Sequence, residues 1–133
     1  MADTFPLKLK DFQKALLTLE EAVRMEKTDI VRDSVIKRFE YTFELSWKTA
    51  KECLNARFGK DVFSPKECFR ELRRQELLSD EETELSLIMC DDRNDIVHTY
   101  KEKLAEELYG KITSSYVELL RKVFERIEEG MRM

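Results

Sequence analysis

Apolar residues recur every three or four positions along most of the chain, a spacing that predicts amphipathic α-helices. The first such stripe, over residues 7–25, comprises Leu9, Phe12, Leu16, Leu19 and Val23. The second, over residues 29–58, comprises Val35, Ile36, Phe39, Phe43, Trp47, Ala50 and Leu54. At ~1.5 Å per residue the second helix is about 45 Å long, and Gly59 offers its C-terminal stop. We expect its aromatic residues to lie in the core or at a dimer contact, which spacing does not separate.

Two pairs of a serine and a glutamate three residues apart mark helix starts, because each side chain of such a pair caps the backbone N–H of the other. Ser64 and Glu67, with Pro65 at the first helical position, open a short third helix. Ser79 and Glu82 open a fourth helix. The apolar positions of these two helices are Phe69, Leu72, Leu85, Ile88 and Met89.

A third pair of this kind, Thr99 and Glu102, predicts that the last helix begins near residue 99. On one unbroken helix, Arg93 and His98 would lie about 140° apart, and a converging site would require a second copy of the chain. A break at residues 98–99 removes that constraint and puts Tyr100 in a first helical turn, where free N–H groups attract anions. The apolar positions of the last helix are Leu104, Leu108, Tyr109, Ile112, Tyr116, Leu119, Val123 and Ile127.

Four long helices and one short helix, joined by short connections, predict a single all-α domain over residues 1–133. The expected architecture is an up-and-down four-helix bundle with an extra short helix. The hydrophobic fraction of 42% argues against wholesale disorder. Three glycines and two prolines are too few for a turn-rich β protein.

The net charge of −4 argues against a general attraction to nucleic acid, so any RNA contact requires a local basic site. Arg70, Arg73 and Arg74 form one basic cluster, which is either a solvated helix face or a contact for RNA phosphates or an acidic partner. No stretch approaches the ~18 apolar residues of a membrane span, and no export signal opens the chain. Three cysteines without a Cys-x-x-Cys spacing indicate reduced, partly buried thiols. We therefore expect a cytoplasmic protein without membrane contact.

The side chains best suited to chemistry lie within residues 93–100, RNDIVHTY. His98 is the single histidine, the residue type that takes and gives protons near neutral pH. Arg93 is a permanent cation whose geometry suits phosphate, Asn94 adds hydrogen-bonding groups to bind it, and Tyr100 adds a hydroxyl. Together they could cleave RNA without a metal. His98 would move the proton of a ribose 2′-hydroxyl or of the leaving oxygen, while Arg93 would stabilise charge on the phosphate.

The residues alone equally allow an exposed loop with no chemistry, in which Arg93 forms a salt bridge with Asp92 or Asp95. Glu44 can pair with Lys48 one helical turn later, so we expect a salt bridge there and not a metal site. With one histidine and no carboxylates clustered around it, the sequence predicts no bound metal. The three glycines are isolated, so we expect neither a phosphate-binding loop nor a nucleotide cofactor.

Three segments, in this order, resemble the nucleotidyltransferase substrate-binding family of the HEPN superfamily. Residues 38–48, RFEYTFELSWK, are similar to the long second helix of that family, and residues 64–67, SPKE, lie where it places such a segment. Residues 93–98 resemble the HEPN motif of an arginine, four residues and a histidine. The extension to Tyr100 is similar to the motif of HepT-type toxins. The resemblance covers most of the chain.

This resemblance implies a helical bundle that forms a homodimer, in which two motifs share one cleft. It implies a minimal nucleotidyltransferase as the partner and, for many members, metal-independent cleavage of RNA with the positions of Arg93 and His98 as catalytic residues. In such pairs the partner is an antitoxin that transfers AMP from ATP to the motif tyrosine, here Tyr100. This AMPylation adds negative charge and bulk, which obstruct the binding of RNA.

Three hypotheses follow for the function. The chain is a ribonuclease toxin neutralised by a nucleotidyltransferase, a non-catalytic substrate-binding subunit of a two-chain nucleotidyltransferase, or a helical dimerisation protein unconnected with nucleotides. The presence of Arg93, His98 and Tyr100 together favours the first hypothesis. In the first two, ATP and its metal ion belong to the partner.

Overall fold

The structure, a computed structural model, describes residues 4–98 and 101–132. These residues fold into helices and contain no strand. The helices are α1 (Phe5–Val23), α2 (Asp29–Phe58), α3 (Pro65–Arg74), α4 (Asp80–His98), α5 (Glu102–Lys111) and α6 (Val117–Arg132). A π-helical segment, Ile112–Tyr116, joins α5 to α6 without a break. The prediction of an all-α helical bundle is confirmed. The continuous helix formed by α5, the π-helical segment and α6 is the fourth long helix, beside α1, α2 and α4, and α3 is the short one. Across the described ranges, no helix has the length and apolar character needed to cross a bilayer.

Local capping explains where α2, a helix of 30 residues, begins and ends. The Thr28 hydroxyl accepts a hydrogen bond from the Val31 N–H at 3.0 Å, which satisfies a backbone donor at the start of the helix. At the other end, Gly59 adopts a left-handed backbone with a φ of 64°, a conformation that costs glycine little. The predicted bounds of α2 are confirmed, whereas α1 begins and ends two residues earlier than predicted.

The predicted serine–glutamate cap forms in full at the start of α4, and only its serine half forms at the start of α3. At the start of α4, the Glu82 N–H donates to the Ser79 hydroxyl at 3.1 Å, and the Ser79 N–H donates to the Glu82 carboxylate at 2.8 Å. At the start of α3, the Glu67 N–H donates to the Ser64 hydroxyl at 3.3 Å. The Glu67 carboxylate instead accepts from the N–H of Phe63, one residue before the cap. Short sequence patterns therefore determine these two boundaries.

The connection between α4 and α5 corrects one prediction. The helix α4 ends at His98, and α5 begins at Glu102 with Lys101 at the N-cap position and no side-chain cap, so the predicted start near residue 99 is wrong. The predictions that Thr99 caps this helix and that Tyr100 lies in its first turn fall on residues that lie outside the described ranges. The Glu102 carboxylate, the intended partner of Thr99, lies 3.6 Å from the Arg32 guanidinium of α2.

The core is built around α2, which packs against α1, α3, α5 and α6. The Phe39 ring stacks on the Tyr116 ring with centroids 5.7 Å apart and an interplanar angle of 19°, and it also contacts Phe43. Phe39 and Phe43 are buried as predicted, whereas Trp47 is only partly buried. Ile88, predicted to face the core, is half exposed.

Replacing Phe39 with alanine should lower the free energy of unfolding by about 3–5 kcal/mol, because a fully buried ring is removed from between two others. Ile30, which lies on the same helix and is 81% exposed, provides the matched control. Ile30→Ala should change that free energy by less than about 0.5 kcal/mol. Urea unfolding followed by circular dichroism measures both values. A loss below about 1 kcal/mol for Phe39→Ala would contradict this description of the core.

Candidate functional site

Arg93 and His98 lie on the same unbroken helix but point to different sides of it. His98 is the last residue of α4 and is exposed. It continues an exposed row on α4 with the three- and four-residue spacing of one helix face, formed by Glu84, Ile88, Asp91 and Asp95. Arg93 is partly buried and turns toward α2. Since α4 includes His98, the break after it does not remove the constraint of about 140° between the two side chains, and that part of the prediction is wrong. Within one chain the two do not converge.

A carboxylate of α2 holds the guanidinium of Arg93. Arg93 Nη2 lies 3.1 Å from Glu44 Oε2, and Lys48 Nζ lies 3.1 Å from the other oxygen of Glu44. The guanidinium also lies 5.6 Å from the centre of the Phe43 ring, within the range of a cation–π contact. The predicted Glu44–Lys48 bridge is confirmed. The predicted alternative, in which Arg93 pairs with Asp92 or Asp95, is wrong, because neither contacts it within the described ranges.

The guanidinium of Arg93 does not use all of its hydrogen-bond donors within the described chain. Its Nε atom is buried and has no hydrogen-bond partner in the described part of the chain. Its Nη1 donates to the neighbouring Asn94 side-chain oxygen at 3.3 Å, a long hydrogen bond on an exposed residue. An anion with several oxygens can use such a guanidinium from the open side while Glu44 keeps it oriented.

Asp92 connects α4 to the helix that follows it in the chain. The buried Tyr116 hydroxyl donates to the Asp92 carboxylate, and Lys111 Nζ lies 3.0 Å from the same oxygen. Burial, together with this hydrogen bond, raises the pKa of Tyr116, so its hydroxyl stays a donor. These contacts tie α4 to α5 and to the π-helical segment. Residue 93 consequently faces α2.

An open cleft of about 480 Å³ lies where α4 ends and α5 begins. Its lining residues are Asn94, Asp95, His98, Lys101, Lys103, Leu104 and Glu107. The two ammonium groups and the amide can bind a phosphate, and the imidazole can exchange protons with a hydroxyl group beside it, while the two carboxylates reduce the net positive charge. Lys101 and Lys103 were missed by the sequence analysis. Their position directly after the predicted helix break was the signal that could have identified them.

A buried arginine anchors the α5 side of this cleft. Arg32 is 4% exposed, and its Nη1 atom lies 2.8 Å from Glu106 and 3.6 Å from Glu102. Lys27, just before α2, also pairs with Glu106. A buried charge is tolerated only when it is paired in this way. The start of α5 is therefore fixed to the start of α2, beside the cleft.

The cysteines are free and buried, as predicted. Burial raises the pKa of all three thiols, that of Cys90 to about 12, so they remain protonated and unreactive near neutral pH. Among the described residues, no three acidic, histidine or cysteine side chains are placed to hold a metal ion. That no metal takes part stays a prediction.

The basic cluster on α3 is largely neutralised by carboxylates. Arg73 forms an ion pair with Asp80, and Arg74 Nη1 lies 2.8 Å from the buried carboxylate of Glu71. Arg70 is exposed on the same helix. These pairs favour the solvated helix face over an RNA or partner contact, since two of the three guanidinium groups already have anionic partners.

Comparisons with known proteins add to this geometry. The profile of a family described as "Nucleotidyltransferase substrate binding protein like" matches residues 7–129. No curated protein matches the chain. A crystal structure of a protein from Thermus thermophilus superimposes with a TM-score of 0.81 and is 41% identical in sequence. The match covers 87% of this chain and 98% of that one.

Proposed function

Since the chain belongs to the nucleotidyltransferase substrate-binding-like family, we propose that it is a HEPN, HepT-like toxin: a metal-independent ribonuclease of a toxin–antitoxin pair. A minimal nucleotidyltransferase would neutralise it by AMPylation of Tyr100. The observation that carries the proposal is the cleft beside the end of α4, where His98 lies with Lys101 and Lys103. This cleft joins a proton-transferring group to cations that bind phosphate.

The proposed reaction needs no bound metal or water. The ribose 2′-oxygen attacks the neighbouring phosphorus and gives its proton to an imidazole, and a 2′,3′-cyclic phosphate forms. The bond from phosphorus to the 5′-oxygen breaks, and that oxygen takes up a proton from an imidazolium or from a solvent water molecule. His98 serves one of these proton transfers, Arg93 balances the charge that develops on the phosphate, and Asn94 binds its oxygens.

The placement of Arg93 and His98 on one helix makes a homodimer part of the proposal. Because the two side chains point about 140° apart, a complete site requires Arg93 of one copy and His98 of the other. A two-fold symmetric pair of chains would then form two such sites. The exposed face of α4 that carries His98 is open to a second copy.

AMPylation of Tyr100 would supply the off state. Tyr100 follows His98 by two positions in sequence, so an adenylyl group on it would bring a phosphate and a purine ring to the end of α4. The added negative charge competes with RNA for Lys101 and Lys103, and the added bulk blocks the cleft. ATP and its metal ion would be bound by the partner enzyme.

One observation favours the second candidate, a non-catalytic substrate-binding subunit of a two-component nucleotidyltransferase. The guanidinium of Arg93 is held by Glu44, which neutralises part of its charge. If the ion pair between Arg93 and Glu44 never breaks, Arg93 serves only to join α4 to α2. The chain then presents Tyr100 or another group to the partner enzyme and has no catalytic activity of its own. The experiment below separates the two candidates.

Protein whose intact mass shows no AMP should cleave tRNA or bulk RNA in EDTA, and it should lose this activity after incubation with the partner and ATP. Its mass should then rise by whole AMP units, whereas Tyr100→Phe should keep both its mass and its activity. Tyr41, an exposed tyrosine of α2, is the matched control, and Tyr41→Phe should behave as the wild type. Absence of cleavage by AMP-free protein would favour the non-catalytic subunit. A mass increase in Tyr100→Phe would move the acceptor to another residue.

A further inference from the structure

A row of side chains leads along α2 from the Arg93 contact to an exposed aromatic ring. Glu44, Lys48 and Lys51 follow one another at four- and three-residue spacing and so lie on one face of the helix. At the far end of the row, Lys51 Nζ lies 5.5 Å from the centre of the Phe63 ring. At ~1.5 Å per residue, Lys51 lies about 10 Å along α2 from Glu44, the residue that holds Arg93.

Phe63 is exposed although its backbone is firmly held. Its side chain is 76% exposed, whereas the preceding residue, Val62, is 2% exposed and belongs to the core. The Phe63 N–H donates to the Glu67 carboxylate at 2.9 Å, which fixes the residue against the start of α3. An aromatic ring presented to solvent on an anchored backbone contributes little to the core and is suited to binding.

Lys51 is available for an anion. Its ammonium forms no ion pair anywhere in residues 4–98 and 101–132, while the neighbouring Lys48 is occupied by Glu44. The chain as a whole carries a net negative charge, so an anion would bind at a local cation such as Lys51 and not through a general attraction. A lysine without a carboxylate partner, next to an exposed ring, is the combination that binds single-stranded nucleic acid, because the ring stacks on a base and the ammonium binds a phosphate.

We propose that Phe63 and Lys51 form a subsite for single-stranded RNA, in which Phe63 stacks on an unpaired base and Lys51 binds a backbone phosphate next to Arg93. This subsite rests on the proposed ribonuclease function. It restricts the substrate of the ribonuclease to RNA with unstacked bases, because a base inside a duplex cannot reach the Phe63 ring. The distance of about 10 Å along α2 places the stacked base one or two nucleotides from the phosphate at Arg93.

Binding of an uncleavable RNA tests the subsite apart from catalysis. A labelled 2′-O-methyl oligouridylate of about 12 nucleotides, within the usual range of single-strand sites, has no 2′-hydroxyl to attack, and its bases stack little on one another. Phe63→Leu should weaken its binding about tenfold, and Phe63→Tyr, which keeps a ring, should bind as the wild type. Fluorescence anisotropy measures each dissociation constant. All these changes are on the surface, so unfolding curves should be unchanged.

The salt dependence of binding separates Lys51 from Phe63. Lys51→Ala should reduce the slope of log K against log salt by about 0.7, the value for one phosphate contact on a single strand. Phe63→Leu should leave the slope unchanged. Lys14, an exposed lysine of α1 without an ion pair in the described structure, is the matched control, and Lys14→Ala should leave both affinity and slope unchanged.

The outcomes separate this inference from the proposed function. If the wild type cleaves RNA but Phe63→Leu binds the oligonucleotide as tightly as the wild type, the subsite is wrong and the ribonuclease stands. If the wild type does not cleave but the ring and salt effects are found, the subsite stands on a non-catalytic RNA-binding protein. If Phe63→Leu instead weakens only the complex with the nucleotidyltransferase, the ring belongs to a protein contact and the subsite is overturned.

Discussion

Replacing His98 with alanine should slow the cleavage of RNA by AMP-free protein about 10²- to 10⁴-fold, the usual contribution of a general acid or base. His98 is exposed at the end of α4, so its removal should change the free energy of unfolding by less than about 0.5 kcal/mol. Initial rates on tRNA in EDTA, measured beside unfolding curves of the same preparations, give both quantities. A loss of activity with unchanged stability identifies a chemical role for the imidazole.

Two variants make this result specific. His98→Gln keeps much of the size and hydrogen bonding of the side chain but cannot exchange protons, so it should lose activity like the alanine variant. Val97→Ala alters the adjacent residue in the same last turn, which is 49% exposed, and should cleave at the wild-type rate. Equal rates for the wild type and both His98 variants would remove His98 from the mechanism and point to another group or to a contaminating nuclease.

The fold was predictable where neighbouring residues determine the outcome. The bounds of α2 follow from Thr28 and Gly59, and the starts of α3 and α4 follow from Ser64 and Ser79, each acting within three residues. The same reasoning predicted the start of the last helix near residue 99, where the capping pattern is equally good, but α5 begins at Glu102. The Glu102 carboxylate, which the predicted cap requires, lies 3.6 Å from the Arg32 guanidinium of α2, a contact that no local pattern indicates.

The site was predictable in its residues but not in its geometry. Residues 93–100 identify the candidate chemistry, and the single histidine lies in a cleft with two lysines. The contact between Arg93 and Glu44 joins residues 49 positions apart, and no spacing along the chain indicates it. The helix α4 has a length of 19 residues and includes His98, so the predicted break at residues 98–99 does not separate His98 from Arg93. That length decides that Arg93 and His98 diverge.

Mixing two inactive variants should restore cleavage if the site is shared between copies. In a heterodimer of Arg93→Ala with His98→Ala, one site lacks both side chains, while the other combines His98 of the first chain with Arg93 of the second. Equal amounts that exchange subunits at random give half heterodimers, each with one intact site of two, so about a quarter of the wild-type activity should return. Each variant alone should stay about 10²-fold or more below the wild type.

The choice of variants keeps this experiment interpretable. Arg93→Ala leaves Glu44 paired with Lys48, so no buried carboxylate is left without a partner. The control is a mixture of His98→Ala with the double variant Arg93→Ala, His98→Ala. No combination of those chains contains His98, so this mixture should stay inactive.

Subunit exchange is verified by native mass spectrometry with one variant isotopically labelled. Recovery in the test mixture alone would place the two side chains of one site on different copies. Exchange without recovery would mean that both side chains of a site come from the same chain, which the divergence of about 140° on α4 argues against.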